Sequence, residues 1–289
     1  MKKNIGFLGL GTMGDPMAIN LARGGYDLTV YDAHGKCSED LKDMDVCIAE
    51  TPAEAVRGKD LVIIILPENE EMSKILPGPD GLLENIDPGT LLVDMGSHSL
   101  EVTMDLAEEA ERRNFMFLDA PVWGSRERAV NGLLTILVGG PLDYVSLCRE
   151  ILTHFGLHII HVGQIGDATK MKFIVDMLQA QLIGALAEGF VLGEKFGFKI
   201  EQILEVLETG GVASPLFHAK GHSIARGDYH RNLALKYICG SLRYIREITA
   251  KNDLHLPVTE VVTQVYEKAY EEGLGEEDFS AVAKIIKKG

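Results

Sequence analysis

Three glycines set between an apolar run and a helical pattern constrain this chain more than any other feature. Residues 5–14 read Ile-Gly-Phe-Leu-Gly-Leu-Gly-Thr-Met-Gly, which spaces Gly9, Gly11 and Gly14 as GxGxxG. In a strand-to-helix turn each of these glycines has a mechanical task. Gly9 makes the tight turn, Gly11 lets backbone approach a pyrophosphate, and Gly14 lets helix and strand pack closely. The helix start then offers free N–H groups and the positive end of its dipole to phosphates. Taken alone, the spacing also describes a plain glycine-rich turn. Its position in the first strand–helix–strand unit favours dinucleotide binding by Gly9, Leu10, Gly11, Thr12, Met13 and Gly14. Asp32, ending the next strand-like run, stands about where a ribose-binding acid is expected. A carboxylate there accepts hydrogen bonds from both ribose hydroxyls and repels a 2′-phosphate, which favours NAD over NADP. The plainer reading of Asp32 is a strand-end residue opening a turn, and His34 and Lys36 nearby soften the repulsion.

The rest of the first half continues the alternation. Ile5–Leu8, Leu28–Tyr31, Leu61–Leu66, Leu91–Val93, Phe115–Leu118 and Leu133–Val138 read as strands. Helix-length patterns such as Met13–Arg23 and Leu100–Arg113, the latter capped by Ser99, lie between them. This order predicts an α/β domain, a Rossmann-type doubly wound parallel sheet over residues 1–162. From 163 to 289 strand signals vanish. A long helix over about 165–196 is expected, then helices at Glu201–Glu208, Pro215–Ala225, Leu233–Ala250 and Val258–Glu271. The second domain therefore reads as all-helical, with any ligand cleft expected between the two.

Composition removes several function classes. Apolar residues at 46% and charged ones at 25% describe a globular chain rather than a disordered one. Lys and Arg number 28 against 43 Asp and Glu, a formal charge of -15 that suits no nucleic-acid partner. The densest apolar run, Leu61–Leu66, is far shorter than the roughly 18 residues of a membrane span, so no membrane partner is expected. Met1-Lys2-Lys3-Asn4 shows no cleavable signal, and Cys37, Cys47, Cys148 and Cys239 have no CxxC spacing. The expectation is a reduced, cytoplasmic protein with a small-molecule substrate. His218 and His222 have the i,i+4 spacing of helical metal ligands, but no neighbouring sequence cluster completes a site, so no metal is expected. Glu68-Asn69-Glu70-Glu71 reads as the solvated first turn of a helix.

Across nearly its whole length the chain resembles the β-hydroxyacid dehydrogenases, the 3-hydroxyisobutyrate dehydrogenase-like family. The extended opening motif Gly6 to Leu21, the loop Asp119-Ala120-Pro121-Val122-Trp123-Gly124-Ser125 and the terminal segment Gly273 to Val282 carry the likeness. Gly124-Ser125, Ala129 and Gly132 are most similar to the glyoxylate/succinic semialdehyde reductase subgroup. The family's catalytic motif sets glycines before a helix bearing Lys and, four residues on, Asn. Gly163, Gly166, Lys172 and Asp176 occupy that spacing, and i,i+4 residues share a helix face. The resemblance implies that Lys172 is the acid/base, passing a proton to or from the substrate oxygen. That task suits a cation able to lose its proton, as a desolvated Lys can and Arg cannot. The bland alternative is a surface Lys172–Asp176 pair of little worth; Lys170 falls on nearly the opposite face. The likeness further implies that Leu66 and Pro67 pass the adenine-ribose side, that Ser97 lies near the nicotinamide, and that Trp123, Gly124 and Ser125 form the substrate loop. It also implies a homodimer or homotetramer built through the helical domain.

Three departures fall at the substrate end. Trp123 replaces a small hydroxyl residue, Asp176 replaces the Asn, and Gly240-Ser241-Leu242 aligns with a Lys-Asp-Leu segment, so its Lys is lost and Lys236 comes one turn too early. Each change weakens the grip on a small carboxylate, and Arg126 and Arg128 read as a solvated cluster rather than a replacement. The expected activity is NAD-dependent interconversion of a small β-hydroxy acid with its semialdehyde or keto form. An imine or cationic carbonyl substrate, and a dinucleotide-binding protein without turnover, are the alternatives.

Overall fold

Successive strand residues face opposite sides of a sheet, and here both sides are apolar. Leu61 and Ile63 join one buried cluster with Ile5, Phe7 and Val30; Val62 and Ile64 join another with Leu8, Leu92 and Phe117. Strands buried on both faces need helices on both sides, the arrangement of a parallel α/β sheet. The structure is a computed structural model that describes residues 3–67 and 72–288. The run Glu68-Asn69-Glu70-Glu71, expected to open a helix, lies outside the described residues.

The chain divides into two compact units, Met1–Lys172 and Phe173–Gly289. The first opens with β1 (Asn4–Leu8), α1 (Gly14–Arg23), β2 (Asp27–Tyr31), α2 (Glu39–Lys42), β3 (Val46–Ile48) and α3 (Pro52–Val56). It continues through β4 (Leu61–Ile64), α4 (Met72–Ile75), α5 (Leu82–Asn85), β5 (Leu91–Asp94), α6 (Leu100–Arg113) and β6 (Met116–Asp119). It closes with β7 (Val122–Trp123), α7 (Arg126–Val130), β8 (Leu134–Gly139), α8 (Leu142–Leu152) and β9 (Gly156–Gly163). The strand order is β3-β2-β1-β4-β5-β6-β8-β7, with β9 on β8. Strands β1 to β6 pair in parallel, as a doubly wound sheet requires. β8 runs antiparallel to β6 and β7, and parallel to β9.

Three strands escape the sequence pattern. β7 has two residues, while β3 and β9 lie at sheet edges with Cys47, Ile48, Leu157, His158, Ile160 and His161 exposed. A solvated edge strand need not be apolar on either face, so periodicity does not reveal it. Conversely, β4 ends at Ile64, short of the expected Leu66. At Ile65 the chain crosses over Gly9: a Cβ there would stand 2.5 Å from the Ile65 carbonyl oxygen.

Helix α9 (Asp167–Lys195) begins in the first unit and runs on into the second. α10 (Ile200–Thr209), α11 (Pro215–Arg226), α12 (Leu235–Lys251), α13 (Pro257–Ala269) and α14 (Ala283–Lys288) follow. Their core gathers Ile183, Phe190, Leu204, Leu242, Tyr266 and Phe279, and among the described residues of this unit there is no strand. The expected continuous helix to Glu271 instead passes into a π turn at Tyr270–Leu274, where Gly273 takes φ 86°. One correction concerns α9, which is long and apolar enough to cross a bilayer. Gln179, Gln181 and Glu188 interrupt its apolar residues, so a search for unbroken runs passes it over. The central helix of a helical core meets the same description, and Ala180, Ile183, Leu186 and Phe190 are buried in such a core.

Candidate active site

The glycine loop has the geometry its spacing implies. Gly9 takes φ 102°, and its N–H donates to the Tyr31 carbonyl at 2.8 Å. At Gly14 a Cβ would lie 1.9 Å from the Gly9 oxygen and 2.8 Å from the Ile65 side chain, so any larger residue would push α1 off the sheet. At Gly11 a Cβ would meet nothing within 4 Å. That open side is where a pyrophosphate needs room. Met13, just before α1, provides no side-chain cap; Asp15 N donates to the Gly11 carbonyl at 3.1 Å and Pro16 has no N–H, which leaves the Gly14 N–H of the first turn to an anion.

Carboxylates at three strand ends hold the loops around this face. Asp32, after β2, accepts from Leu10 N at 2.9 Å through Oδ2 and from His34 N at 3.0 Å through Oδ1. Its turn-opening and ribose-binding readings are therefore compatible: one carboxylate ties its own turn to the glycine loop. Oδ1 also accepts from Lys36 N at 3.2 Å, so the lone pair left for a ribose hydroxyl is the second one of Oδ2. Asp94 ends β5, buried, and accepts from Gly96 N at 2.9 Å, with His98 Nε2 at 3.1 Å. This fixes the turn on which exposed Ser97 stands, and Ser97 bridges in parallel to Pro67, beyond the end of β4. Leu66 beside it is buried.

Asp119 ends β6 in register with Asp94. It accepts from Gly166 N at 2.9 Å, Thr169 N at 3.0 Å and Thr169 Oγ1 at 3.2 Å. Thr169 Oγ1 also lies 3.1 Å from Thr103 Oγ1 on α6. The first turn of α9 is thereby locked to the sheet, and Lys172 follows within that turn's reach. Burial pushes the Asp119 carboxyl above the usual aspartate range, against the pull of these hydrogen bonds. In the sequence Asp119 shows only as the start of a loop, and its place at a strand end is the signal that marks it.

Lys172 is 5% exposed and Asp176 2%, which removes the reading of a surface pair. Lys170 is the surface lysine, paired with Asp167 at 3.0 Å. In the helical unit Ser241 Oγ donates to Asp176 Oδ2 at 2.8 Å, a buried bond from α12 that spacing could not reveal. Gln179 Nε2 lies 3.4 Å from the other oxygen. Gly240 beside Ser241 is exposed, with open space where a Cβ would stand. Lys236, one turn earlier, is engaged with Glu276.

In the loop expected to meet substrate, Gly124 has φ 151°, and a Cβ there would fall 2.7 Å from Leu134 Cδ2, so glycine is dictated. Ser125 caps α7, its Oγ accepting from Arg128 N at 3.3 Å. Trp123 pairs with Thr135 and remains 44% exposed; Arg126 and Arg128 are exposed as well. A cavity of about 540 Å³ opens beside Tyr31, Ala33, His34, Lys74 and Pro79, next to the Asp32 turn.

A glycine cradle at a strand-to-helix turn, a carboxylate just after β2 and a buried lysine are the features of a pyridine-nucleotide oxidoreductase. The comparisons agree. Residues 4–163 match the family described as NAD binding domain of 6-phosphogluconate dehydrogenase. Residues 166–286 match that described as NAD-binding of NADP-dependent 3-hydroxyisobutyrate dehydrogenase. Glyoxylate/succinic semialdehyde reductase 1 of Arabidopsis thaliana is 31% identical over 284 residues, covering 98% of each chain. 2-(Hydroxymethyl)glutarate dehydrogenase of Eubacterium barkeri is 32% identical, over 97% of this chain and 94% of its own. The solved Mycobacterium tuberculosis 3-hydroxyisobutyrate dehydrogenase with L-serine superposes with TM-score 0.87 at 27% identity, over 99% of this chain and 100% of that one. The chain belongs to the β-hydroxyacid dehydrogenase family. It is an NAD(P)-dependent dehydrogenase/reductase acting on CH–OH groups.

Proposed function

We propose that this enzyme interconverts a small β-hydroxy acid and its semialdehyde or keto form, with Lys172 as the acid/base. The observation that carries the reading is the burial of Lys172 one turn into α9, on a helix start anchored by Asp119. The bound nicotinamide supplies or accepts the hydride at the substrate carbon. In the reducing direction Lys172 Nζ gives its proton to the carbonyl oxygen as the C–H bond forms; in the oxidising direction it takes the hydroxyl proton. Asp176, held by Ser241, sets the negative charge one turn along the same helix. Trp123, Gly124 and Ser125 are the proposed substrate loop. The Gly9–Gly14 loop, with Leu10, Thr12 and Met13, takes the pyrophosphate; Leu66 and Pro67 pass the adenine-ribose side, and Ser97 lies near the nicotinamide.

NAD is the proposed cofactor because Asp32 places a carboxylate at the ribose. The adenine end is assigned to the cavity beside Tyr31, His34 and Lys74. A second copy of the chain is proposed to cover the exposed α9 stripe of Met171, Ile174, Leu178 and Leu182, whose spacing keeps them on one face. The test is a panel of semialdehydes, keto acids, hydroxy acids and imines assayed with NADH and NADPH or the oxidised forms. Turnover confined to carboxylate-bearing carbonyls or alcohols supports the reading. Because Trp123 and Gly240 stand where grips on a carboxylate are lost, Trp123→Ser with Gly240→Lys is expected to improve turnover of glyoxylate and succinic semialdehyde. Turnover of imines alone would overturn the proposal.

A further inference from the structure

The helical unit holds a second set of chemically capable side chains to which no role has been assigned. His218 and His222 lie one turn apart on α11, and the residue that completes them comes from another helix. Glu208, in the last turn of α10, places Oε1 2.6 Å from His218 Nδ1 and 3.7 Å from His222 Nε2. The two imidazoles meet edge to face with centroids 5.5 Å apart. One donor atom from each of the three residues falls within 4.8 Å of the other two. The expectation of no third ligand is thus corrected: Glu208 is ten residues from His218 in sequence and adjacent to it in space.

The backbone beneath the cluster is fixed. Gly221 lets α10 approach so closely that a Cβ there would stand 2.4 Å from Leu204 Cδ2. Leu204 and Phe217 are buried at this crossing, and Ser214 caps α11 by accepting from Phe217 N at 3.0 Å. Lys220, between the two histidines in sequence, is drawn into a buried pair with Asp278 at 2.7 Å. Tetrahedral zinc with ligand bonds of about 2.0–2.2 Å sets its donors roughly 3.3–3.5 Å apart. The observed separations bracket that value, and the three side chains, 40–69% exposed, have room to turn onto it.

We propose that Glu208, His218 and His222 bind one divalent transition-metal ion, zinc by the chemistry of its donors, and so clasp α10 to α11. Two imidazoles and a carboxylate suit zinc rather than magnesium or calcium, which take mainly oxygen ligands. Three protein ligands leave a fourth position for water. The experiment is calorimetric titration of chelator-stripped, full-length protein with zinc chloride, beside His222→Ala and Glu208→Gln, with magnesium chloride as control. Wild type is expected to take up one equivalent that magnesium does not displace. Affinity should fall at least about tenfold on losing either ligand. Zinc should also raise the melting temperature of wild type and not of His222→Ala. Equal stoichiometry and affinity in wild type and His222→Ala would overturn the proposal and place the metal elsewhere, at exposed Cys47 for instance. No uptake by wild type at micromolar zinc would overturn it too, leaving an exposed histidine–carboxylate pair only.

Discussion

Asp32 and Lys172 show how much single side chains decide here. The Asp32 carboxylate already holds Leu10 N, His34 N and Lys36 N, so the protein itself sets its orientation. Wild type should bind NADH more tightly than NADPH, and Asp32→Ala should narrow the gap. The stake is one charged contact with its ribose hydrogen bonds, about 1.5–3 kcal/mol. Fluorescence titration showing equal or tighter NADPH binding in wild type would reduce Asp32 to a turn residue. For Lys172, removal of a positioned acid/base should cost at least about a hundredfold in kcat while leaving NADH affinity nearly intact. Steady-state kinetics of Lys172→Ala on the best panel substrate decide it; wild-type turnover would move the proton transfer elsewhere.

Among elements, the join between β6 and α9 depends on Asp119. Because burial raises its carboxyl pKa, the folded state holds that proton more tightly than the unfolded chain does. Its contribution to stability is complete below the usual aspartate range and is lost as pH rises through the raised value. Asp119→Asn should therefore show a flatter dependence of stability on pH in that acidic window; denaturant midpoints that shift in parallel for both proteins would refute this. The segment between α13 and α14 depends on another carboxylate. Asp278 is 1% exposed and accepts from Lys220 Nζ, Asn232 N, Leu233 N, Ser280 N and Ser280 Oγ. Asp278→Ala leaves the Lys220 ammonium in a nearly buried site without its partner, a loss of about 3–5 kcal/mol. Thermal or urea unfolding of the variant measures it, and a loss under 1 kcal/mol would mean that water replaces the carboxylate.

For the whole molecule, the question is what covers α9. Its exposed stripe at Met171, Ile174, Leu178 and Leu182 is continuous along one face, while Ala180, Ile183 and Phe190 are buried in the core. If a second copy covers the stripe, Leu178→Glu buries an unpaired charge in the interface and should shift the protein toward monomer in sedimentation velocity. An unchanged sedimentation coefficient would show that the stripe lies outside any self-association surface.

Local sequence determined what local physics controls. Glycine spacing, strand alternation and the onset of helical periodicity sufficed for the doubly wound sheet, the helical second half and the Gly9–Gly14 loop. Each of those signals is written within a few neighbouring residues, and burial on both faces makes the strands apolar enough to recognise. The likeness to a family then supplied Lys172, whose spacing from Asp176 alone describes an ordinary surface pair. Tertiary structure decided what depends on residues far apart in the chain. Ser241 reaches Asp176 across 65 positions, Asp119 reaches Gly166 across 47, and the edge strands β3 and β9 are strands only because β2 and β8 pair with them. Hydrogen bonds between distant elements leave no periodic trace in a sequence, because a serine or an aspartate satisfies its helix or strand equally well without them. The same holds for Glu208: two histidines one turn apart are visible in the chain, but only the packing of α10 on α11 brings the carboxylate that makes them a set of ligands.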